Sequence, residues 1–145
     1  MKKLNLFYLF LFVSFLLFNC NNAQPADSEN SPQSCIEKII AEDEKFGKIR
    51  NHACEKQSLT QTVNDYTTAL EGLNFSGCPD DFSNAFKSHI EAWKAVVPVT
   101  DKYPDLRGEM HDVFEIIEGG SDSMEFKALV ADVWATWEDV EKAMN

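Results

Sequence analysis

The sequence lacks the patterns that mark β structure and the common catalytic or cofactor-binding motifs. No stretch sustains the alternation of apolar and polar residues typical of strands, and no Asn-Gly pair marks a hairpin. Neither Gly-rich phosphate-binding string occurs, and no Ser-His-Asp or Cys-His grouping has a supporting motif. There is no C-x-x-C pair for structural zinc and no C-x-x-C-H for covalent haem. We therefore predict no enzymatic activity and no catalytic residues.

Positive charge is also scarce. The 145 residues include 13 Lys and Arg against 24 Asp and Glu, so the formal net charge is −11. A chain of this charge is repelled by phosphates and by anionic membrane surfaces, so we expect no nucleic-acid partner. The remaining interpretations are a basic protein, a cation, or a solvated acidic surface, and the last is the commonest reason for such a charge.

The sequence does contain a long apolar run close to its first residue. Residues 4–18 follow Lys2 and Lys3 and include only Asn5 and Ser14 as polar members. The run is short for a membrane-spanning helix and has the length of a signal-peptide core. It ends in the letters Leu-Phe-Asn-Cys, and the cysteine is residue 20.

This ending resembles a bacterial lipobox, in which a leucine lies three residues before a cysteine that becomes acylated. Phe18 and Asn19 replace the small residues usual just before that cysteine. The resemblance implies a lipoprotein signal peptide over residues 1–19, export to the bacterial cell envelope, and a covalent lipid on Cys20. Several acyl chains, such as diacylglycerol with palmitate, would hold the protein on a membrane. The alternative is an uncleaved N-terminal anchor with an incidental cysteine.

Residues 20–33 follow as the lipidated cysteine and a polar linker. They contain two prolines and no apolar stripe, so we expect a disordered tether. Residues 34–145 carry helical periodicity and form the predicted domain. Ser34 is expected to cap the first helix, a second periodic segment runs over residues 58–73, and Gly119-Gly120 are expected to end a shorter helix.

The best-marked helix follows Cys78. Pro79 suits a first helical turn, where its missing N–H would have no partner, and Asp80 and Asp81 place negative charge near the positive end of the helix dipole. A surrounding bundle is implied by the apolar residues that then recur on one face, with His89 among them. These residues are Phe82, Phe86, Ile90, Trp93, Val96 and Val97.

The last helix has the cleanest heptad of the chain. Together with the earlier periodic segments it predicts an all-α domain, and we expect a four-helix up-down bundle with a short extra helix. The heptad consists of Phe126, Val130, Val133, Trp137, Val140 and Met144, flanked by Leu129 and Trp134.

The polar stretch 52–57 leaves the first boundary open. It contains neither Gly nor Pro, so it is either a turn or part of one long helix through residues 46–73. Continuing the apolar face backwards would place His52 and Lys56 at apolar positions, which favours a break. We predict two helices.

Three cysteines remain after Cys20, and they cannot all pair within one chain. An exported compartment permits disulfides. If the first two helices form an antiparallel hairpin, Cys35 lies near Cys78, and Cys54 stays unpaired. One long helix would instead place Cys35 and Cys78 at opposite ends. Free buried thiols are the other interpretation.

His89 is the candidate metal or haem ligand. It lies on the aromatic face, where a histidine can ligate a metal but more often forms hydrogen bonds inside the core. His111 and Glu115 are one turn apart, although no second pair at that spacing supports a site. A haem held by His89 and one methionine is the related alternative, with Met110, Met124 and Met144 as the available methionines.

The three tryptophans at 93, 134 and 137 either line a ligand pocket or belong to the core, which is the usual place for aromatic rows. The string C-P-x-x-F-x-x-A-F-x-x-H-I-x-A-W is similar to small helical bacterial proteins without an assigned activity. We therefore expect an exported, lipid-anchored protein that binds an envelope protein or a small ligand. The alternatives are a metal- or haem-carrying bundle using His89, and an enzyme built on acidic residues.

Overall fold

The computed structural model describes residues 31–145, and every regular element in that part of the chain is helical. The all-α prediction is confirmed there, while the predicted signal peptide, Cys20 and most of the tether lie outside the described residues. None of the described helices is both long and apolar enough to cross a bilayer. The helices are α1 (Pro32–Ala53), α2 (Leu59–Glu71), α3 (Asp80–Ala95), α4 (Val97–Thr100), α5 (Met110–Glu118) and α6 (Ser123–Ala143).

Local capping signals explain where the first two helices begin. The Ser31 side chain accepts a hydrogen bond from the Ser34 backbone N–H, and Pro32 occupies the first turn of α1. The predicted cap at Ser34 is therefore wrong by three residues, because the N-cap is Ser31. Ser58, where the second periodic segment begins, caps α2 by accepting a hydrogen bond from the Gln61 N–H at 3.1 Å.

The two-helix prediction for residues 46–73 is confirmed, because α1 ends at Ala53 and α2 begins at Leu59. Cys54 caps the end of α1, is fully buried, and its carbonyl accepts a hydrogen bond from the Gly108 N–H. The chain therefore turns without glycine or proline because the turn is fixed by contacts with a segment about fifty residues away. Pro79 lies one residue earlier than expected, at the N-cap of α3.

The helices pack in the spatial order α1, α2, α3, α6, and the pairing of α3 with α6 is the most extensive. The short α5 lies against both α6 and α1, and α4 follows α3 almost directly and contacts α2. Helices α1 and α6 barely contact each other. The largest fully buried side chains are Phe82, Phe86, Phe126, Leu59, Leu70 and Ile117.

A disulfide joins Cys35 to Cys78, whose Cα atoms are 5.1 Å apart. It ties the first turn of α1 to the segment that follows α2, which is the pairing expected for an antiparallel hairpin of these helices. Cys54 is a free, buried thiol, and burial raises its pKa. A buried thiol of raised pKa is a poor nucleophile, so Cys54 belongs to the core.

Candidate functional site

The gap between α1 and α6 forms a cleft of about 260 Å³, with α3 beneath it and one α2 side chain at its base. All three tryptophans of the chain line this cleft. Larger surface depressions of about 570 Å³ lie beside the disulfide and near the end of α6, but no aromatic side chain lines either. The cleft's chemically distinctive side chains are Asp43, Arg50, Tyr66, His89, Trp93, Trp134 and Trp137.

Arg50 supplies a largely buried positive charge at the base of the cleft. Its guanidinium lies 4.4 Å from the Tyr66 ring centroid and 4.1 Å from that of Trp93, so two aromatic faces hold it. Its Nε and Nη2 donate to Asn51 Oδ1 at 3.3 and 3.2 Å. Burial lowers the pKa of Arg50, but a guanidinium stays charged at physiological pH. Among residues 31–145, no carboxylate forms a direct ion pair with it.

Asp43 lies on the same helix as Arg50 and is linked to it through Tyr66. The Tyr66 hydroxyl donates to Asp43 Oδ1 at 2.6 Å and also interacts with the Arg50 guanidinium. Burial raises the pKa of Asp43, while the Tyr66 hydrogen bond and the Arg50 charge act in the opposite direction. Burial likewise raises the pKa of the Tyr66 phenol. The phenol therefore stays neutral and lies between a cation and a carboxylate.

His89 lies in the seam between α3 and α6, and both of its ring nitrogens have partners. The Trp93 Nε1–H donates to His89 Nε2 at 3.1 Å, so the imidazole proton lies on Nδ1, which is 3.1 Å from Thr136 Oγ1. The Thr136 hydroxyl in turn donates to the Asp132 carbonyl. Burial lowers the pKa of His89 to about 4, so the ring is neutral near pH 7. His89 thus forms a hydrogen-bonded tie between two helices.

The structure does not assemble a ligand set around the histidines that sequence reasoning singled out. A metal at His89 would have to displace its bond with Trp93 or Thr136. His111 contacts Glu109 at 2.9 Å rather than Glu115, and His52 contacts Glu55. Within residues 31–145, no three side chains of His, Cys, Asp or Glu are grouped as metal ligands would be.

The tryptophans divide between core and cleft. Trp93 is 3% exposed and forms the base of the cleft, whereas Trp134 is 57% exposed. Trp137 lies between these extremes, with its ring 5.2 Å from that of His89 and its Nε1–H donating to Glu141. Trp93 therefore belongs to the core and also forms the base of the cleft, whereas Trp134 and Trp137 line its wall.

Sequence reasoning missed Arg50, Asp43 and Thr136. Asp43 and Arg50 are seven positions apart and so share a helix face, but any solvated helix shows polar residues at that spacing. Comparison with protein-family models, curated proteins and solved structures gives no significant match. The cleft is therefore interpreted from the residues of this chain alone.

Proposed function

We propose that this protein is an exported, lipid-anchored binding protein of the bacterial cell envelope, and that its α1–α6 cleft binds a small, flat organic molecule. The anchor is supported by the apolar run that ends in a lipobox-like sequence at Cys20. We further propose that α1, α2, α3 and α6 follow an up-down course that stays open between its first and last helix. This open edge is where the cleft lies.

One observation carries the binding proposal: all three tryptophans and a partly buried arginine line a single cleft, and Trp134 stays exposed there. Small-molecule sites are concave and mostly apolar, with a few placed polar groups. An exposed tryptophan next to a half-buried one gives a flat ligand an apolar wall, and burying such a ring on binding is favourable. The cleft volume of about 260 Å³ suits a small ligand.

The binding proposal is tested with indole, a neutral flat probe, titrated into the purified protein and followed by the three tryptophan side-chain N–H signals in nuclear magnetic resonance spectra. We expect the Trp134 and Trp137 signals to shift in a saturable manner. Trp134→Ala should abolish saturation. Ile116→Ala removes an equally exposed apolar side chain from α5, outside the cleft, and should leave binding unchanged. Absence of any saturable shift, or equal loss in both variants, would remove the cleft from consideration and leave an envelope protein as the partner.

The anchor is tested separately by changing Cys20. Cys20→Ala should prevent acylation and move the protein from the membrane fraction to the soluble fraction. Mass spectrometry of the wild-type protein should find a lipid on an N-terminal Cys20. Retention of Cys20→Ala on membranes with Met1 still present would instead indicate an uncleaved apolar anchor.

The alternative of a metal- or haem-carrying bundle uses His89, and no geometric observation favours it. Both ring nitrogens of His89 are engaged, and breaking either bond would leave a buried polar group without a partner. Elemental analysis and a visible absorption spectrum of the purified protein test this alternative directly.

A further inference from the structure

We infer that the cleft selects an aromatic carboxylic acid, whose carboxylate binds Arg50 and whose ring lies against Trp134 and Trp137. This inference rests on the proposed binding of a small molecule in the cleft. It adds the chemical class of that molecule and the residue that recognises its charge.

The charged side chains around the cleft differ in whether the fold already supplies a direct partner. The Asp43 carboxylate accepts the Tyr66 hydroxyl, and Glu44 pairs with Lys48 at 2.7 Å. Arg50 has the Asn51 amide oxygen and the Tyr66 hydroxyl, both uncharged, and within residues 31–145 it lacks a direct carboxylate partner. The carboxylates of Asp43 and Glu44 therefore already have hydrogen-bond or ion-pair partners, whereas Arg50 can still bind a carboxylate.

The geometry of Arg50 suits a carboxylate better than a second cation or a neutral group. Tyr66 and Trp93 cover the guanidinium, and Asn51 receives hydrogen bonds from one edge. These contacts do not use all of the N–H groups of a guanidinium, so donors remain for a planar, two-oxygen acceptor. Because the two rings cover part of the guanidinium, a charge-assisted hydrogen bond there is stronger than at a fully exposed arginine.

The ring part of the ligand follows from the walls of the cleft. Trp137 is held by His89 and by Glu141, so it offers a fixed surface, while no other ring in the described part of the chain contacts Trp134. A flat aromatic body stacks on such faces at low entropic cost. The cleft of about 260 Å³ falls below the roughly 300–1,000 Å³ of drug-sized sites. A single ring with a short acidic arm therefore fits.

The test uses three probes of one shape and different charge: phenylacetate, phenylacetamide and phenethylamine. Tryptophan fluorescence reports binding, because all three tryptophans line the cleft. We expect phenylacetate to bind at least about tenfold more tightly than the amide, as a charge-assisted bidentate contact implies. The amine should bind most weakly. Equal affinities, or preference for the amide or amine, would overturn the inference.

Variants of α1 assign the selectivity to Arg50. Arg50→Gln should remove the tenfold preference, and Arg50→Lys should restore only part of it, because an ammonium lacks the planar fork. Lys45→Gln removes an exposed cation from the same helix, outside the cleft, and should retain full selectivity. If the Arg50 variants fail to give a helical circular-dichroism spectrum, Asn51→Ala replaces them. Loss of the orienting amide should reduce the preference several-fold, and unchanged selectivity would contradict the role of Arg50.

The two proposals fail in distinguishable ways. Saturable indole binding without a preference for phenylacetate would leave the cleft as a binding site and reject the carboxylate class. Absence of binding by both indole and phenylacetate would reject the cleft itself.

Discussion

His89 and Arg50 both lie against the Trp93 ring system, yet the structure treats their polarity in opposite ways. His89 receives a hydrogen bond from Trp93 and reaches Thr136 on the neighbouring helix, so it is buried, neutral and fully partnered. Arg50 lies across Trp93 and Tyr66 and keeps its charge, while its nearest carboxylate link runs through the Tyr66 hydroxyl. The α3–α6 seam, which His89 ties together at the floor of the cleft, is therefore closed, and the α1–α6 cleft around Arg50 is open.

This difference is the reason why we propose a structural role for one polar group and a binding role for the other. A buried polar group whose hydrogen bonds are all made by the fold specifies how two helices pack, and a ligand gains nothing from it. A partly desolvated cation without a direct counter-ion gains interaction energy from an anion that reaches it. On this basis His89 forms the core hydrogen bonds that are usual for a histidine on an apolar face, and we propose Arg50 as the recognition residue.

Replacing the residue shared by both regions should have the largest effect. Trp93→Ala removes the base of the cleft, the donor to His89 and one ring beneath Arg50, and should lower the free energy of unfolding by about 3–5 kcal/mol. Chemical denaturation followed by circular dichroism measures this loss. Trp134→Ala is the matched control, because its ring is exposed. A similar, small shift in both variants would place Trp93 outside the core.

The contribution of the closed α3–α6 seam to stability should depend on pH through His89. Its pKa is lowered to about 4 in the folded protein, against about 6.5 for an unperturbed histidine. Between these values the unfolded chain binds a proton that the folded chain does not, so stability falls as pH falls from 6.5 to 4. The loss should reach about 3 kcal/mol and level off below pH 4.

Comparison with His89→Gln isolates this contribution. Asp43 acts with the opposite sign, because burial raises its pKa and lowering the pH relieves the cost of its buried charge. Asp43 is present in both proteins, so its effect cancels in the difference between wild type and variant. Parallel stability–pH curves for the two proteins would show that His89 is not buried in its neutral form.

Much of the fold follows from local signals in the sequence. Ser58 begins α2 and Gly119 ends α5, as capping rules favour for such residues, and the apolar rows of α3 and α6 mark positions that the structure buries. The exception at the start of α1 is also local: Ser31 followed by Pro32 is a cap and first-turn signal. The polar composition of residues 20–33 hid it, because a helix that exposes its first turn carries no apolar stripe there.

The cleft depends on contacts that no single segment encodes. Arg50 follows an exposed isoleucine on α1 and looks like an ordinary solvated position. Its environment comes from Tyr66 on the next helix and Trp93 on the one after, and sequence periodicity says nothing about which helix faces are opposed. Similarly, the heptad of α6 identifies buried positions, but it does not show that α1 leaves Trp134 uncovered.

The stability of the open region, the α1–α6 cleft, should depend on the hydrogen bond between Tyr66 and Asp43. Tyr66→Phe leaves a largely buried carboxylate without its donor and should cost about 1–3 kcal/mol at neutral pH. The cost should shrink in acid, because protonation of Asp43 removes the buried charge. Tyr103→Phe is the matched control, since Tyr103 donates to Asp122 at 2.7 Å but Asp122 keeps its ion pair with Lys102. An equal loss in both variants would mean that the Asp43 pair has no special role.

The smallest effect on stability should come from the residue that most clearly belongs to the cleft. Trp134 is 57% exposed, so Trp134→Ala should change the free energy of unfolding by no more than about 0.5 kcal/mol. Trp137→Ala should be more destabilising, because that ring packs on His89 and on the core. Denaturation curves and phenylacetate titrations on the same samples would separate stability from binding. If the Trp134→Ala protein is stable and binds phenylacetate as tightly as the wild type, the exposed ring contributes to neither stability nor binding. Ligand recognition in the cleft would then depend on Arg50 alone.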